Sequence, residues 1–104
     1  MINGINSREM ILEILLEIEE GEHSHVAIRN ALSKYQFLPK QDRAFITRVC
    51  EGTLEYRIQI DYIINSFSKV TVDKMKPAIR EILRSAVYQL KYMDSVPDSA
   101  VCNE

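Results

Sequence analysis

The sequence is poor in the residues that interrupt helices. It contains three glycines and three prolines among 104 residues, too few for a turn-rich β protein, so the composition favours helices. Gly4, Gly21 and Gly52 also lie too far apart to form a glycine-rich loop that cradles a phosphate. This spacing argues against a nucleotide or nucleoside cofactor held by such a loop.

Cysteines and long apolar runs are scarce as well. Cys50 and Cys102 form no CxxC pair, a usage that suits a reducing, cytoplasmic setting. No apolar run approaches the length of a membrane span, so we expect neither a transmembrane helix nor a secretory signal.

His23 and His25 lack further ligands at metal-binding spacing, and Cys50, with no acid–base partner beside it, is expected in the core. We therefore predict no metal site, and we predict that this chain is not an enzyme.

Charge is nearly balanced in total but unevenly distributed along the chain. The net charge is −2, yet residues 1–22 carry one arginine against six glutamates. Residues 23–93 carry twelve lysines and arginines against six acidic residues. The total argues against strong nucleic-acid binding, whereas the segregation predicts one basic face.

Apolar residues recur at intervals of three and four, which predicts helices. Asn6 caps the first helix, with Glu9 placed for a capping box, and Gly21 ends it. Ser24 caps a second helix that extends to about Tyr35. Three more predicted helices cover about residues 41–54, 57–67 and 77–93. The expected architecture is an all-α bundle of five helices.

The last residues predict the beginning of a further helix. Pro97 ends the preceding segment, and Asp98 or Ser99 can cap a helix that follows. The sequence stops at Glu104, before two helical turns would be complete, and so short a helix is not stable alone. We therefore expect a truncated final helix here.

Gly52, inside the third predicted helix, is expected to permit a close helix crossing. The fifth predicted helix has a clear apolar stripe. We expect Leu83 and Ala86 to be among the most buried residues of the protein. The full stripe comprises Ile79, Ile82, Leu83, Ala86, Val87 and Leu90.

One flank of the same helix brings together Arg80, Arg84, Lys91 and Tyr88. Guanidinium groups suit phosphate contacts, and an exposed aromatic ring can stack on an unpaired base. The flank is therefore a candidate RNA-binding surface. The alternative is that its cations pair with the acidic first helix.

Three stretches, taken in order, resemble the NusB-like RNA-associated domain: SREMILEIL, DRAFITRVCEGTLEYRIQIDYII and ILRSAVYQLKYMDSVPDSAVCNE. The resemblance extends over about residues 6–104. Such domains occur as free-standing transcription antitermination factors and as N-terminal domains of Sun/RsmB-type ribosomal RNA cytosine-5 methyltransferases. The segments DRAF, GTL, IDYII and VPDSAVCNE are more similar to the methyltransferase version.

The resemblance implies a single NusB-like domain over residues 1–104, a fragment that lacks the family's last helix and the catalytic domain. Its implied function is to bind and orient 16S ribosomal RNA, while the missing domain transfers the methyl group from S-adenosylmethionine. Implied partners are ribosomal RNA, the protein's own catalytic domain and a ribosomal protein. The alternatives are a protein-interaction module and an intact antitermination factor.

The resemblance also implies site residues. Arg8 matches an arginine of the family's N-terminal basic segment, and Arg43, Gly52, Arg84 and Tyr88 match recurrent landmarks. This chain begins MINGINSRE where the antitermination factor is arginine-rich, a difference that favours an auxiliary role. Arg84 and Tyr88 have a structural alternative, namely pairing with a carboxylate and closing the core. The predicted RNA-binding residues are Arg8, Arg43, Arg80, Arg84, Tyr88 and Lys91.

Overall fold

Five α-helices form the part of the protein that the computed structural model describes, residues 6–93. A short 3₁₀ helix, Val72–Lys74, lies between the last two α-helices, and a π-helical turn, Gln89–Met93, follows the fifth. The prediction of an all-α fold is confirmed, and the predicted final helix from Asp98 lies outside the described residues. The helices are α1 (Ser7–Glu19), α2 (Ser24–Lys34), α3 (Lys40–Glu55), α4 (Arg57–Phe67) and α5 (Pro77–Tyr88).

Local sequence determines where the first helices begin and end. The Glu9 backbone N–H donates to Asn6 Oδ1 at 2.9 Å, which confirms the predicted N-cap. Gly21 has φ +115°, a conformation that glycine adopts without steric cost. The second cap was predicted one residue late, because α2 begins at Ser24 itself and His23 precedes it.

The core lies where α1 packs against α2, α3 and α5. Ile46, Val49 and Cys50 from α3 are completely buried, as are Ile60 and Ile64 from α4. Burial of such side chains stabilises the fold by about 1.5–3 kcal/mol each. α1 contributes Met10, Ile11, Ile14 and Leu15 to the same cluster.

The burial of α5 differs from the prediction. Leu83 and Ala86 are only half-buried, and Ile82 and Leu90 are 51% and 70% exposed. The expectation that Leu83 and Ala86 are among the most buried residues is therefore wrong. Of the stripe, Leu83 and Val87 pack against the core as partly buried residues. The buried residues of α5 are Glu81, Arg84 and Tyr88; the two charged ones can be buried because they meet oppositely charged partners.

Gly52 brings α3 and α5 close together, as the sequence predicts. It is buried, and a Cβ atom at this position would overlap the ring of Tyr88. The missing side chain therefore makes room for the tyrosine. Within residues 6–93, no helix is both long and apolar enough to cross a bilayer.

Candidate functional site

Five charged side chains from three helices meet at one side of the bundle. We call them the carboxylate–arginine cluster: Glu19 from the end of α1, Asp61 from α4, and Arg80, Glu81 and Arg84 from α5. Arg80 forms a bidentate pair with Glu19, since Nε donates to Oε2 at 2.8 Å and Nη2 donates to Oε1 at 2.7 Å. This planar geometry is among the strongest that charged side chains form, and it fastens α5 to the end of α1.

Arg84 lies at the centre of the cluster. Its Nε and Nη2 atoms each donate to one oxygen of Asp61 at 2.8 Å. Its Nη1 atom donates to Glu81 Oε2 at 2.8 Å and lies 3.8 Å from Glu19 Oε2. All three nitrogens of the guanidinium group thus face carboxylates, and α4 is tied to α5.

The cluster contains three carboxyl groups but two guanidinium groups. Burial raises the pKa of Glu81 from 4.5 to about 7, a shift that the neighbouring Glu19 carboxyl reinforces and Arg84 opposes. The Glu19 carboxylate accepts the Arg80 hydrogen bonds, and its pKa is lowered to about 2. The cluster is therefore neutral when Glu81 carries a proton, and Glu81, 3% exposed, is the least hydrated site for a negative charge.

Two arginines also anchor backbone. Arg80 Nη1 donates to the carbonyl oxygens of Val72 at 2.9 Å and Met75 at 3.2 Å, in the segment before α5. Arg43 Nη1 donates to Leu32 and Tyr35 carbonyls, at 3.0 and 3.2 Å, at the end of α2. Such contacts hold the segment before α5 and the end of α2 in place; the Val72 and Tyr35 carbonyls each accept a backbone N–H as well.

Each of the three buried or half-buried arginines therefore has partners inside the protein. Pairing with the acidic first helix, the alternative that the sequence left open, is what the structure shows for Arg80. Arg84 likewise pairs with carboxylates. Contact of Arg43, Arg80 or Arg84 with RNA stays a prediction.

Tyr88 is 6% exposed, so the expectation of an exposed ring at this position is wrong. It belongs to a stack of three tyrosines with Tyr92 and Tyr56. The ring centroids of Tyr56 and Tyr92 are 4.3 Å apart, and those of Tyr92 and Tyr88 are 5.5 Å apart. The Tyr92 hydroxyl donates to Gln59 Oε1. The stack closes the end of the bundle where α3 meets α4.

Arg8 and Lys91 are exposed and lie at separate places. Arg8 borders a groove of about 750 Å³ between α1, α3 and α5, whose apolar side includes Ile82. Lys91 borders a hollow of about 460 Å³ beside Ile58 and Tyr62 of α4, and its Nζ atom lies 5.7 Å from the centroid of the Tyr92 ring. The six predicted residues therefore do not form one continuous surface.

Sequence reasoning did not single out a group of exposed lysines between α4 and α5. Lys69, Lys74 and Lys76 all lie on the surface there. The signal was present in the stretch SKVTVDKMK, which has three lysines and one aspartate.

Other site chemistries find little support among the described residues. Burial raises the pKa of the Cys50 thiol to about 12, which keeps it protonated and unreactive. No three His, Cys, Asp or Glu side chains within residues 6–93 converge as metal ligands. Gly21 and Gly52 stand singly, and Gly52 is occupied by its contact with Tyr88, so this part of the chain does not offer a glycine-rich cradle for S-adenosylmethionine.

Comparison with known proteins identifies a family and two groups of relatives. The model of the NusB family matches residues 5–104. The chain is 30% identical over 97 residues to a probable ribosomal RNA small subunit methyltransferase B of Bacillus subtilis, and 33% identical over 100 residues to one of Synechocystis. These alignments cover 93% and 95% of this chain but 22% of each relative, in its N-terminal region.

A second group of relatives carries a different name. The chain is 30% identical over 100 residues to the transcription antitermination protein NusB of Desulforamulus reducens. That alignment covers 94% of this chain and 69% of the relative. No solved structure matches the chain.

Proposed function

Because this chain belongs to the NusB family, we propose that it is the N-terminal RNA-binding and orienting domain of a 16S ribosomal RNA cytosine-5 methyltransferase. The observation that carries the proposal is its similarity to the N-terminal region of two proteins named as small subunit methyltransferases. In this proposal the rest of the parent protein binds S-adenosylmethionine and transfers the methyl group. The domain itself holds cytoplasmic ribosomal RNA in position.

Exposed cations supply the RNA contacts in this proposal. Arg8 and Lys91 reach solvent at two edges of the bundle, where they can approach phosphate groups without breaking any ion pair among residues 6–93. Arg43, Arg80 and Arg84 hold the helices that carry them. Phosphate contacts of this kind fix position and orientation and carry no sequence information.

A salt-dependent titration tests the proposal. A fluorescent fragment of small-subunit ribosomal RNA is titrated with the wild-type chain and with an Arg8→Gln, Lys91→Gln double variant. Removing two phosphate contacts should weaken binding and reduce the slope of log affinity against log salt by about 1.4. The matched control, Arg29→Gln with Arg48→Gln, removes two exposed cations from elsewhere on the surface and should change binding less.

One result would contradict this function, and another would contradict the contacts assigned to it. Absence of binding by the wild-type chain at low salt would remove the RNA-binding role altogether. Equal effects of the double variant and its control would remove Arg8 and Lys91 as specific contacts. Circular dichroism of the same samples shows that the proteins are folded, so that a loss of binding is not caused by unfolding.

A protein-interaction module is the second candidate, and exposed apolar side chains favour it. Ile58 and Tyr62 are 85% and 76% exposed beside Lys91, a pattern that marks interaction surfaces. The partner would be the catalytic domain of the same protein or a ribosomal protein. An Ile58→Ser, Tyr62→Ser variant that keeps RNA affinity but loses binding to either protein would support this role.

The antitermination setting differs from the methyltransferase setting in the size of the whole protein. The chain spans 69% of one antitermination relative but 22% of the methyltransferases. Mass spectrometry of the protein isolated from its own cells measures that size. A chain several times longer than this domain supports the methyltransferase proposal, and one only slightly longer supports antitermination.

A further inference from the structure

The segment that joins α4 to α5, residues 68–76, is rich in positive charge, with three lysines and one acidic residue. We call it the α4–α5 connector. Lys69, Lys74 and Lys76 are exposed, and none of them belongs to the ion pairs found among residues 6–93. Asp73 is the one acidic residue of the connector, and a hydrogen bond with the Thr71 side chain is the main cause that lowers its pKa. The connector therefore carries a net positive charge with its lysines free to meet an anion.

The connector backbone is fixed although its lysines are exposed. The Val72 N–H donates to Asn65 Oδ1 at 2.9 Å, and the Ser68 hydroxyl donates to the Val70 carbonyl at 2.7 Å. Arg80, itself held by Glu19, donates to the Val72 and Met75 carbonyls. A surface held in this way loses little conformational entropy when it binds a partner.

Exposed apolar side chains lie in the same stretch of the chain as the lysines. Phe67, the last residue of α4, is 64% exposed, and Val70 within the connector is 48% exposed. An exposed aromatic ring at the start of a segment with three exposed lysines is a combination that single-stranded nucleic acid binders use, because the ring stacks on a base while cations contact the backbone.

We propose that the α4–α5 connector is an additional RNA-binding site, in which Phe67 stacks on an unpaired base and Lys69, Lys74 and Lys76 contact flanking phosphates. The inference rests on the proposed RNA-binding function and deepens it, since it specifies single-stranded RNA. In a duplex the faces of the bases are covered by their neighbours, so the ring of Phe67 has no base to stack on.

Three variants test the site. The first is Lys69→Gln, Lys74→Gln, Lys76→Gln, which removes the cations. The others are Phe67→Leu, which keeps an apolar side chain but removes the ring, and a control that removes three exposed cations elsewhere. The control is Arg29→Gln, Lys34→Gln, Arg48→Gln, with side chains on α2 and α3. Each is titrated by fluorescence anisotropy with a single-stranded RNA of about 12 nucleotides and with the same strand paired to its complement.

The lysine variant should reduce the slope of log affinity against log salt by about 2 for the single strand. Phe67→Leu should weaken single-strand binding by about fivefold or more and leave duplex binding unchanged. The control variant should reduce the slope by less than the lysine variant. These differences together support the connector as the contact.

Other outcomes overturn the inference. If the wild type binds RNA but the lysine variant behaves as the control does, the connector is not a contact, while the proposed function stands. If Phe67→Leu has no effect and the lysine variant loses binding to polyglutamate as strongly as to RNA, the connector is a site for an acidic polypeptide. If the wild type binds neither RNA, the proposed function and this inference fail together.

Discussion

Glu81→Gln probes the protonation of the carboxylate–arginine cluster. Glutamine has the shape of a protonated glutamate, so it can accept from Arg84 as Glu81 Oε2 does and can donate toward Glu19. It cannot acquire a negative charge. The substitution therefore keeps position 81 uncharged at every pH.

The magnitude follows from the two pKa values of Glu81. The folded value of about 7 lies above the usual 4.5, a difference equivalent to about 3 kcal/mol. The stability that protonation contributes is therefore complete below about pH 4.5 and is lost as the pH rises through 7. Glu19, with its pKa lowered to about 2, acts in the opposite direction, but its contribution is lost only as the pH falls below about 4.5. Glu81 thus dominates between these limits.

Urea unfolding followed by circular dichroism measures the effect. At about pH 5 the free energies of unfolding of Glu81→Gln and the wild type should agree within about 1 kcal/mol. At about pH 8 the variant should be more stable by about 2–3 kcal/mol. Glu13→Gln, a change at an exposed position of α1, serves as the control and should leave the pH dependence as it is in the wild type.

The opposite result would refute the reasoning. Suppose that the wild type becomes more stable between about pH 5 and 8, and that Glu81→Gln is less stable than the wild type at pH 8. Glu81 would then be ionised in the folded protein. Its bond with Arg84 would then be an ordinary ion pair, and removing one partner from such a buried pair costs about 3–5 kcal/mol.

Three further predictions concern packing and reactivity. Gly52→Ala should destabilise the protein by about 1–3 kcal/mol, because the added methyl group overlaps the Tyr88 ring; an unchanged urea midpoint would contradict that contact. Leu83→Ala should cost about 1–2 kcal/mol, below the 2–5 kcal/mol of a fully buried leucine, since Leu83 is half-buried. In a Cys102→Ser background, Cys50 should react with a thiol reagent only after unfolding, and rapid reaction in native buffer would show that its burial is wrong.

Helix positions could be predicted from sequence because their signals are local. Asn6 caps α1 as expected, and α4 covers the predicted residues 57–67. Intervals of three and four, rather than two, correctly separated helix from strand in α4, despite four isoleucines. The close crossing of two helices at Gly52 was also predicted correctly. A glycine inside a helix is destabilising, so its presence there indicates that a side chain would not fit.

Burial of α5 could not be predicted in this way. A helical wheel assigns apolar residues to the core, yet Ile79 and Ile82 are exposed and Glu81 and Arg84 are buried. The carboxylates that make the burial of Arg84 favourable, Asp61 and Glu19, are distant in sequence, and Glu81 in turn accepts a hydrogen bond from Arg84. The role of the arginines could not be predicted from sequence either, because the same guanidinium group suits a phosphate and an internal carboxylate.

The tyrosine stack gives the protein a built-in optical reporter. The chain has no tryptophan and five tyrosines, and three of them lie in the stack of Tyr56, Tyr92 and Tyr88. Rings held nearly parallel in an asymmetric setting couple their electronic transitions, so we expect this stack to give the main near-ultraviolet circular dichroism signal. Tyr56 lies at the junction of α3 and α4, while Tyr92 follows α5. The signal should therefore decrease when the end of α5 separates from that junction, and no added label is needed to follow it.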